Sequence, residues 1–397
     1  MNIDCQRKTD RIIGSFICRI LSIFGKTRKN HAVKAEKILV ILLSEMGSLV
    51  LAHPMFERLK NKYPKSSIHA LVFEQNSIVI ELMNVLPKEN IHTVSNRSLS
   101  ALLTGSLRFI SKIRSLEIDT VIDCELFSRI SSIYSFLSGA KIRAGFHPHT
   151  QEGLYRGDFI NRPVLYNPYC HISQQFITLV EALESNQTPT VKRRINTERL
   201  HLPQVKFNED EIKNLQTKFK SDFSLISGKK LILIYPGGGL LPIRAWPLQN
   251  YFKLTDTLIE KGYAVGVIGM QSDKEIANKI LSHCNSDYCI DLTGYTETVR
   301  ELMIIFHFAA LLITNDGGPV HFAAMTPIPT ITFYGPETPE LYSPLNPRAF
   351  NFYLPLSCSP CLTAYNHRNS ACNGDNICLQ NIHPEEVLAK TFEILQG

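Results

Sequence analysis

The sequence has no run approaching the roughly 20 uncharged apolar residues that a membrane-spanning helix needs. It lacks the Gly-x-Gly-x-x-Gly fingerprint of nicotinamide enzymes and has no lysine closing a glycine loop in the Walker pattern, which argues against both classes. Its second half offers no Asp-x-Asp pair in a suitable loop, a usual seat for a metal-bound diphosphate. Charge is sparse as well: 20% of residues are charged and the net charge is +6. No dense basic stripe with interleaved aromatics is present, so nucleic acid is not expected as a partner.

What is present describes a two-domain globular protein. At 397 residues the chain exceeds one ordinary core, and 44% of its residues are apolar. Residues 11–24 are apolar on a wide helical face broken by Arg11 and Arg19, and Arg7, Lys8, Lys26, Arg28 and Lys29 flank them. No uninterrupted apolar core or small-residue cleavage site marks a secretory signal. Such a basic amphipathic helix suits an anionic membrane surface or, equally, packs on the protein's own domain.

From Lys37 onward, strand-length aliphatic runs alternate with helix-length periodic segments. In the first half the strands are expected at 37–43, 68–73, 119–124 and 141–146, with helices at 49–62, 77–86, 99–116 and 127–137. The second half repeats this rhythm, with strands at 230–235, 264–269, 288–292, 310–314 and 329–333. Its helices are expected at 248–261, 273–283, 298–309 and 320–325, and a last one at 384–395. The alternation implies βαβ units and parallel sheets, hence an α/β protein. Residues 186–228, with Pro189, Pro203 and Lys192-Arg193-Arg194, lose the aliphatic strands. They read as a linker with a leading helix at 209–219. The expected organisation is a basic N-terminal segment (1–36), a first Rossmann-like domain (37–185), the linker (186–228) and a second Rossmann-like domain (229–397). Ligands of such folds bind beyond the carboxyl ends of the strands.

Two strand ends carry the chemistry. The first is Tyr235-Pro236-Gly237-Gly238-Gly239, followed by Arg244-Ala245-Trp246-Pro247. A glycine run after a buried strand can wrap an oxyanion with backbone N–H groups, and a guanidinium suits a phosphate. The run is also compatible with a plain strand-to-helix turn. The second strand end is Thr314-Asn315-Asp316-Gly317-Gly318-Pro319-Val320-His321. Pro319 suits the first helical position, and the helix start with His321 in its first turn favours an anion. Together the two loops predict a diphosphate site.

These two motifs, with the opening ILVILLSEMGSLVLAHPMF, resemble glycosyltransferase family 9, which includes the ADP-heptose:lipopolysaccharide heptosyltransferases. The resemblance runs from about Lys37 to the C-terminus. It implies a GT-B architecture, two Rossmann-like doubly wound domains facing across a cleft, with acceptor bound by the first and donor by the second. It implies inverting transfer of heptose from ADP-heptose, without a metal or other cofactor. Arg244 would hold the donor phosphates where members usually have lysine, and Gly237, Gly238, Gly239, Gly317, Gly318 and His321 would line the diphosphate. Asp316 would position the sugar or the loop, and Asp273 and Glu275 would approach the nucleoside. The partners implied are this nucleotide sugar, a lipid-linked glycan and the membrane surface, with the protein peripheral on the cytoplasmic side.

One departure from the family concerns the base. Members place an aspartate directly after the glycine of the first-strand loop, and here that residue is Ser48, after Gly47. Glu45, in the same loop, is the substitute carboxylate; alternatively it caps the following helix, or the base lies elsewhere and transfer has been lost. Arg143, His147 and Arg156, with Arg162 and the intervening Pro148-His149, form a cationic stretch suited to an acidic acceptor or to an ordinary solvated loop. Cys358, Cys361, Cys372 and Cys378 suit either a structural metal or thiols. Besides heptosyl transfer, the alternatives are a family 9 transferase with another donor or acceptor, and a nucleotide-sugar-binding protein without turnover.

Overall fold

A computed structural model of the chain describes residues 8–25, 35–43, 45–126, 128–147, 155–185, 187, 190–192, 194–195, 200, 202–239, 241–364 and 368–396. Arg7, Lys26, Arg28, Lys29, Pro148, His149, Pro189 and Arg193 lie outside the described residues. The chain forms two compact units, Met1–Leu200 and His201–Gly397.

The first unit holds a six-stranded sheet in the order β3-β2-β1-β4-β5-β6, parallel throughout. Its strands are β1 Lys37–Ile41, β2 Ser67–Phe73, β3 Ile91–Val94, β4 Thr120–Asp123, β5 Ile142–Phe146 and β6 Arg162–Val164. The four expected strands are present. The two unexpected ones, β3 and β6, are the edges, and they are too short to leave a readable pattern. β6 also carries Pro163, which a sheet tolerates only where a missing N–H does no harm.

The expected helix 49–62 is two helices, Met46–Leu51 and His53–Lys62, the second with Pro54 in its opening turn. The segment expected at 77–86 stops at Met83, because Asn84 adopts a left-handed conformation (φ 52°) and ends it. A further helix, Ile172–Ala182, was not expected; the His171 side chain caps it.

The second unit repeats the architecture. β7 Leu231–Tyr235, β8 Ala264–Gly269, β9 Cys289–Thr293, β10 Leu311–Asn315, β11 Thr330–Tyr334 and β12 Ala349–Tyr353 line up as β12-β11-β10-β7-β8-β9. Each pair is parallel. Ile232, Ile234, Val265, Val267, Leu311 and Ile313 are sealed under helices, the burial that makes such strands continuously aliphatic. Only the edge strand β12, half-buried along its length, was not expected.

Both sheets follow the doubly wound order. In each, the connections diverge between two central strands, β1 and β4 in the first and β7 and β10 in the second. That divergence opens a crevice at the carboxyl ends of those strands. It is where the chemistry-bearing loops emerge.

Two expected boundaries change. The helix at 209–219 runs Glu209–Asp222 and belongs to the second unit. Glu211 is paired with Arg300, and Phe219 packs on Tyr295 and Phe308. The described part of the N-terminal segment likewise belongs to the first unit, as Asp10–Gly14 and Ser15–Phe24 pack on the helix Arg129–Leu137. Among the described residues, no helix is long and apolar enough to cross a membrane.

Candidate active site

β7 and β10 are hydrogen-bonded neighbours, so the glycine loop and the Asp316 turn leave the sheet side by side. One buried side chain stitches them together. Asn315, fully buried at the end of β10, donates through Nδ2 to the carbonyls of Gly237 (3.0 Å) and Tyr235 (3.3 Å). Its Oδ1 accepts from the Trp246 backbone N–H (2.9 Å) and the Tyr251 hydroxyl (3.1 Å). A single amide therefore fixes three segments: the glycine loop, the Arg244–Pro247 turn and the start of the Asp316 loop. Trp246, stacked on Phe333 with ring centroids 4.5 Å apart, is locked again by its indole N–H on the Ile382 carbonyl.

The Tyr235 ring stands between the loops. A Cβ added to Gly237 would lie 3.1 Å from it, and one added to Gly317 would lie 3.9 Å away. Burial, with the Asp273 charge beside it, pushes its phenol up to about 12, so it stays protonated at neutral pH.

The glycines differ in what demands them. Gly239 has φ 58°, a left-handed turn, and a Cβ on Gly238 would strike the Leu241 carbonyl at 2.8 Å. Gly317 is extended (φ 171°) and Gly318 is helical, and a Cβ on either meets nothing nearer than 3.6 Å. The fold itself therefore does not need glycine at 317 or 318. The helix begins at Gly318, so Pro319 is its second residue, one later than expected. His321 is buried in the same short helix.

Arg244 is placed differently from the expected open phosphate clamp. Its side chain is 15% exposed and sits between two carboxylates, with Nη2 at 2.8 Å from Glu337 and Nε at 3.5 Å from Asp316. Arg368 reaches the same Glu337 oxygen at 3.5 Å. Two arginines and two carboxylates thus form a charge-balanced cluster under the Asp316 turn. Asp316, expected to position the sugar or its loop, faces Arg244 from the end of β10. Glu337 and Arg368 carried no sequence signal beyond Glu337 following β11 and a Gly-Pro pair.

Of the two acidic residues expected near the nucleoside, only Asp273 lies at the loop. Its Oδ1 is 3.0 Å from where a Gly237 Cβ would stand, while its Oδ2 accepts from the Met270 N–H at 2.8 Å. Glu275 is 84% exposed on the outer helix face and pairs with Lys279 at 2.7 Å. The structure does not bring it to the site.

In the first unit the loop after β1 is equally organised. Leu43 is clamped on both sides: its N–H donates to buried Glu125 at the end of β4 (2.7 Å), and its carbonyl accepts from Asn76 (2.6 Å). Neither partner was foreseen. Beyond the clamp, Glu45 is exposed with φ 41° and ψ 108°, a strained backbone for a residue with a side chain. It occupies the N-cap position of the helix Met46–Leu51 but makes no side-chain capping bond. Its Oε2 instead accepts from the Ser48 hydroxyl at 3.3 Å, so the two expected catalytic residues are brought together.

The expected acceptor cations are corrected. Arg156, fully buried, pairs with Asp123 and donates to the Ser128 carbonyl and Ser131 hydroxyl. Arg143 donates to the Phe159 carbonyl (2.8 Å) and lies over the Phe136 ring, and burial lowers it to about 10. Arg162 is buried against the Leu183 carbonyl. All three brace the β5–β6 region and are not available to a ligand. His147 faces Asp158 at 3.8 Å and is 16% exposed.

Cys378 is buried against Gly335, while Cys358 and Cys372 are exposed. Among the described residues, no group of three or more His, Cys, Asp or Glu is arranged to hold a metal. A cavity of about 540 Å³ includes Phe223, Asn285 and Cys289 at the start of β9, the opposite end of the strands from the glycine loops.

Comparison with known proteins places this geometry. The chain is 27% identical to lipooligosaccharide heptosyltransferase 2 of Haemophilus ducreyi, covering 79% of this chain and 87% of that protein. It is 26% identical to lipopolysaccharide heptosyltransferase 2 of Salmonella typhimurium, over 90% and 98%. The solved Escherichia coli ADP-heptose LPS heptosyltransferase II shares its fold (TM-score 0.70, 22% identity, 91% and 98% covered). The family described as glycosyltransferase family 9 (heptosyltransferase) matches residues 106–371, which include every residue of the second-unit site. The chain belongs to glycosyltransferase family 9, and the protein is a glycosyltransferase with two doubly wound α/β units of the GT-B type.

Proposed function

We propose that the protein transfers heptose from ADP-heptose to a lipopolysaccharide core or related glycan, with inversion and without a metal ion. The observation that carries the donor half is the Asn315 stitch. It holds Gly237–Gly239 beside Gly317 and Gly318, two positions where glycine serves no need of the fold. Backbone N–H groups of both loops meet the diphosphate, with His321 beside them. Arg244 stays on Glu337 and anchors the Asp316 turn, and Asp273 lines the nucleoside side. In the names of the relatives, heptose is the transferred sugar.

In the acceptor half, Glu45 takes the proton of the attacking hydroxyl, and Ser48 orients its carboxylate. The exposed position, the strained backbone and the missing capping bond all support this role. The leaving diphosphate is stabilised by fixed dipoles, as a metal-free transfer requires. The protein works at the cytoplasmic face of the membrane, held there through residues 11–24.

A panel of ADP, UDP, GDP and ADP-heptose tests the donor. ADP and its sugar should raise the unfolding midpoint, the others much less. Transfer to a heptose-free core, followed by mass spectrometry and anomeric NMR, should persist in EDTA and give the inverted linkage. Indifference to all four nucleotides, or turnover abolished by EDTA, contradicts the proposal. A binding protein without turnover is the second reading, favoured by Ser48 standing where members carry aspartate.

A further inference from the structure

The N-terminal helix reverses the usual burial. Gly14, Cys18 and Ser22 face inward, and Cys18 packs with Phe159 and Ile160. A Cβ on Gly14 would lie 2.7 Å from the Arg129 Cβ, so glycine is what lets this helix come so close. Asp10 accepts from the N–H groups of Arg129 (2.9 Å) and Ile130 (2.9 Å), capping the helix Arg129–Leu137. The large side chains point out: Phe16 is 64% exposed, Ile23 73% and Phe24 77%.

A second apolar stripe belongs to the same layer. On the helix Leu99–Ser115, Leu99, Leu103 and Leu107 recur at one-turn spacing and are 54%, 57% and 70% exposed. That helix and Arg129–Leu137 are joined by Ser106 with the Tyr134 hydroxyl, by Phe109 against Tyr134, and by Arg114 on the Leu137 carbonyl. Arg129–Leu137 is therefore the middle of three helices: its Ile130 packs toward Leu99–Ser115 and its Ile133 toward the N-terminal helix. Neither 11–25 nor 99–116 contains an acidic residue, while they carry Arg11, Arg19, Arg108, Lys112 and Arg114. Exposed aliphatics beside these cations complement an anionic lipid surface, with Asp10 turned onto Arg129 and Glu117 facing Lys37.

We infer that this three-helix layer is one membrane-docking face, in which Leu103 and Leu107 enter an anionic bilayer surface together with the N-terminal helix. The inference rests on the proposed attachment through residues 11–24 and adds a second contact point. Two points fix the orientation of the first unit on the membrane, which one helix alone leaves free to swivel. Because Asp10 caps Arg129–Leu137 just beyond β4, the face begins at the carboxyl end of the sheet, the end that carries Glu125 and Glu45. A lipid-linked acceptor would thus be met at a set height.

The test is co-sedimentation of the full chain with vesicles of phosphatidylcholine, with and without about 30% phosphatidylglycerol to supply negative charge. Wild type should bind the anionic vesicles at least tenfold more tightly. Phe16→Glu/Ile20→Glu and Leu103→Glu/Leu107→Glu, each checked for an unchanged unfolding midpoint, should each lose about tenfold or more. A Leu103→Trp variant should be quenched by brominated lipid, against a background from the buried Trp246. Wild-type binding by the Leu103/Leu107 variant, or no quenching, overturns the second contact while leaving attachment through 11–24 standing. Failure of wild type to bind any vesicle overturns both, and a dimer by light scattering would then assign the face to a second copy.

Discussion

Replacing Asn315 with alanine tests the architecture of the proposed donor site most directly. The side chain makes four hydrogen bonds in a fully buried position, but their losses are unequal. The Tyr251 hydroxyl also lies 3.1 Å from the Tyr235 carbonyl, so those two groups satisfy each other once Asn315 is gone. The Trp246 N–H and the Gly237 carbonyl are left buried without the partner that Asn315 supplied. Each such group costs about 1–3 kcal/mol, so the second unit should lose roughly 3–4 kcal/mol once the vacated volume is included. Against a typical stability of 5–15 kcal/mol this is severe, yet it leaves the unit folded.

Trp246 is the chain's single tryptophan and sits in this cluster, so its fluorescence reports the unfolding of that unit in urea. At a slope near 2–3 kcal/mol/M the midpoint should fall by roughly 1 M or more. Nucleotide affinity, measured well below that midpoint, should drop about tenfold or more, since the glycine loop is no longer tied to β10. Asn315→Asp should be as damaging at pH 7, because a carboxylate oxygen would face two carbonyls, and milder in acid, where it can donate. A midpoint within about 0.3 M of wild type, with nucleotide affinity unchanged, would mean that Asn315 does not hold these loops together.

Glu45→Gln should lower turnover by about 10²–10⁴ with nucleotide affinity intact, measured by single-turnover transfer and calorimetry; an unchanged rate removes Glu45 as base. Gly317→Ala should leave stability within about 0.5 kcal/mol yet weaken nucleotide binding, because the added methyl meets no protein atom nearer than 3.9 Å; equal affinity would argue against a ligand there. Glu337→Gln strips the shared partner of Arg244 and Arg368 from a site where Glu337 is 1% exposed, and should cost about 3–5 kcal/mol in urea titration. Burial against His69 and Phe109, with the Lys112 charge near, lowers His92 to about 4. Its neutral form stabilises the first unit fully above pH 6.5, and about 3 kcal/mol is lost as pH falls from 6.5 to 4; in a pH series of unfolding midpoints, His92→Gln should flatten that slope.

Residue pattern alone was enough to read the two α/β units and their central strands, because a parallel strand buried on both faces must be aliphatic throughout. It also showed where the two glycine-bearing loops lie, since glycine runs at strand ends leave their mark in residue type alone. The edge strands β3, β6 and β12 escaped notice: one covered side and a few residues impose too little pattern. Burial of individual cations was also illegible. Arg143, Arg156 and Arg162 look in sequence like a basic loop, and only folding places backbone carbonyls and Asp123 around them. The same holds for Arg244, whose partners Asp316 and Glu337 arrive from two other strand ends. Sequence spacing records which side chains share a strand or helix face. Which charges meet across neighbouring strands, and whether a cation faces ligand or carboxylate, depends on tertiary packing, where desolvation permits an arginine only beside groups that compensate it.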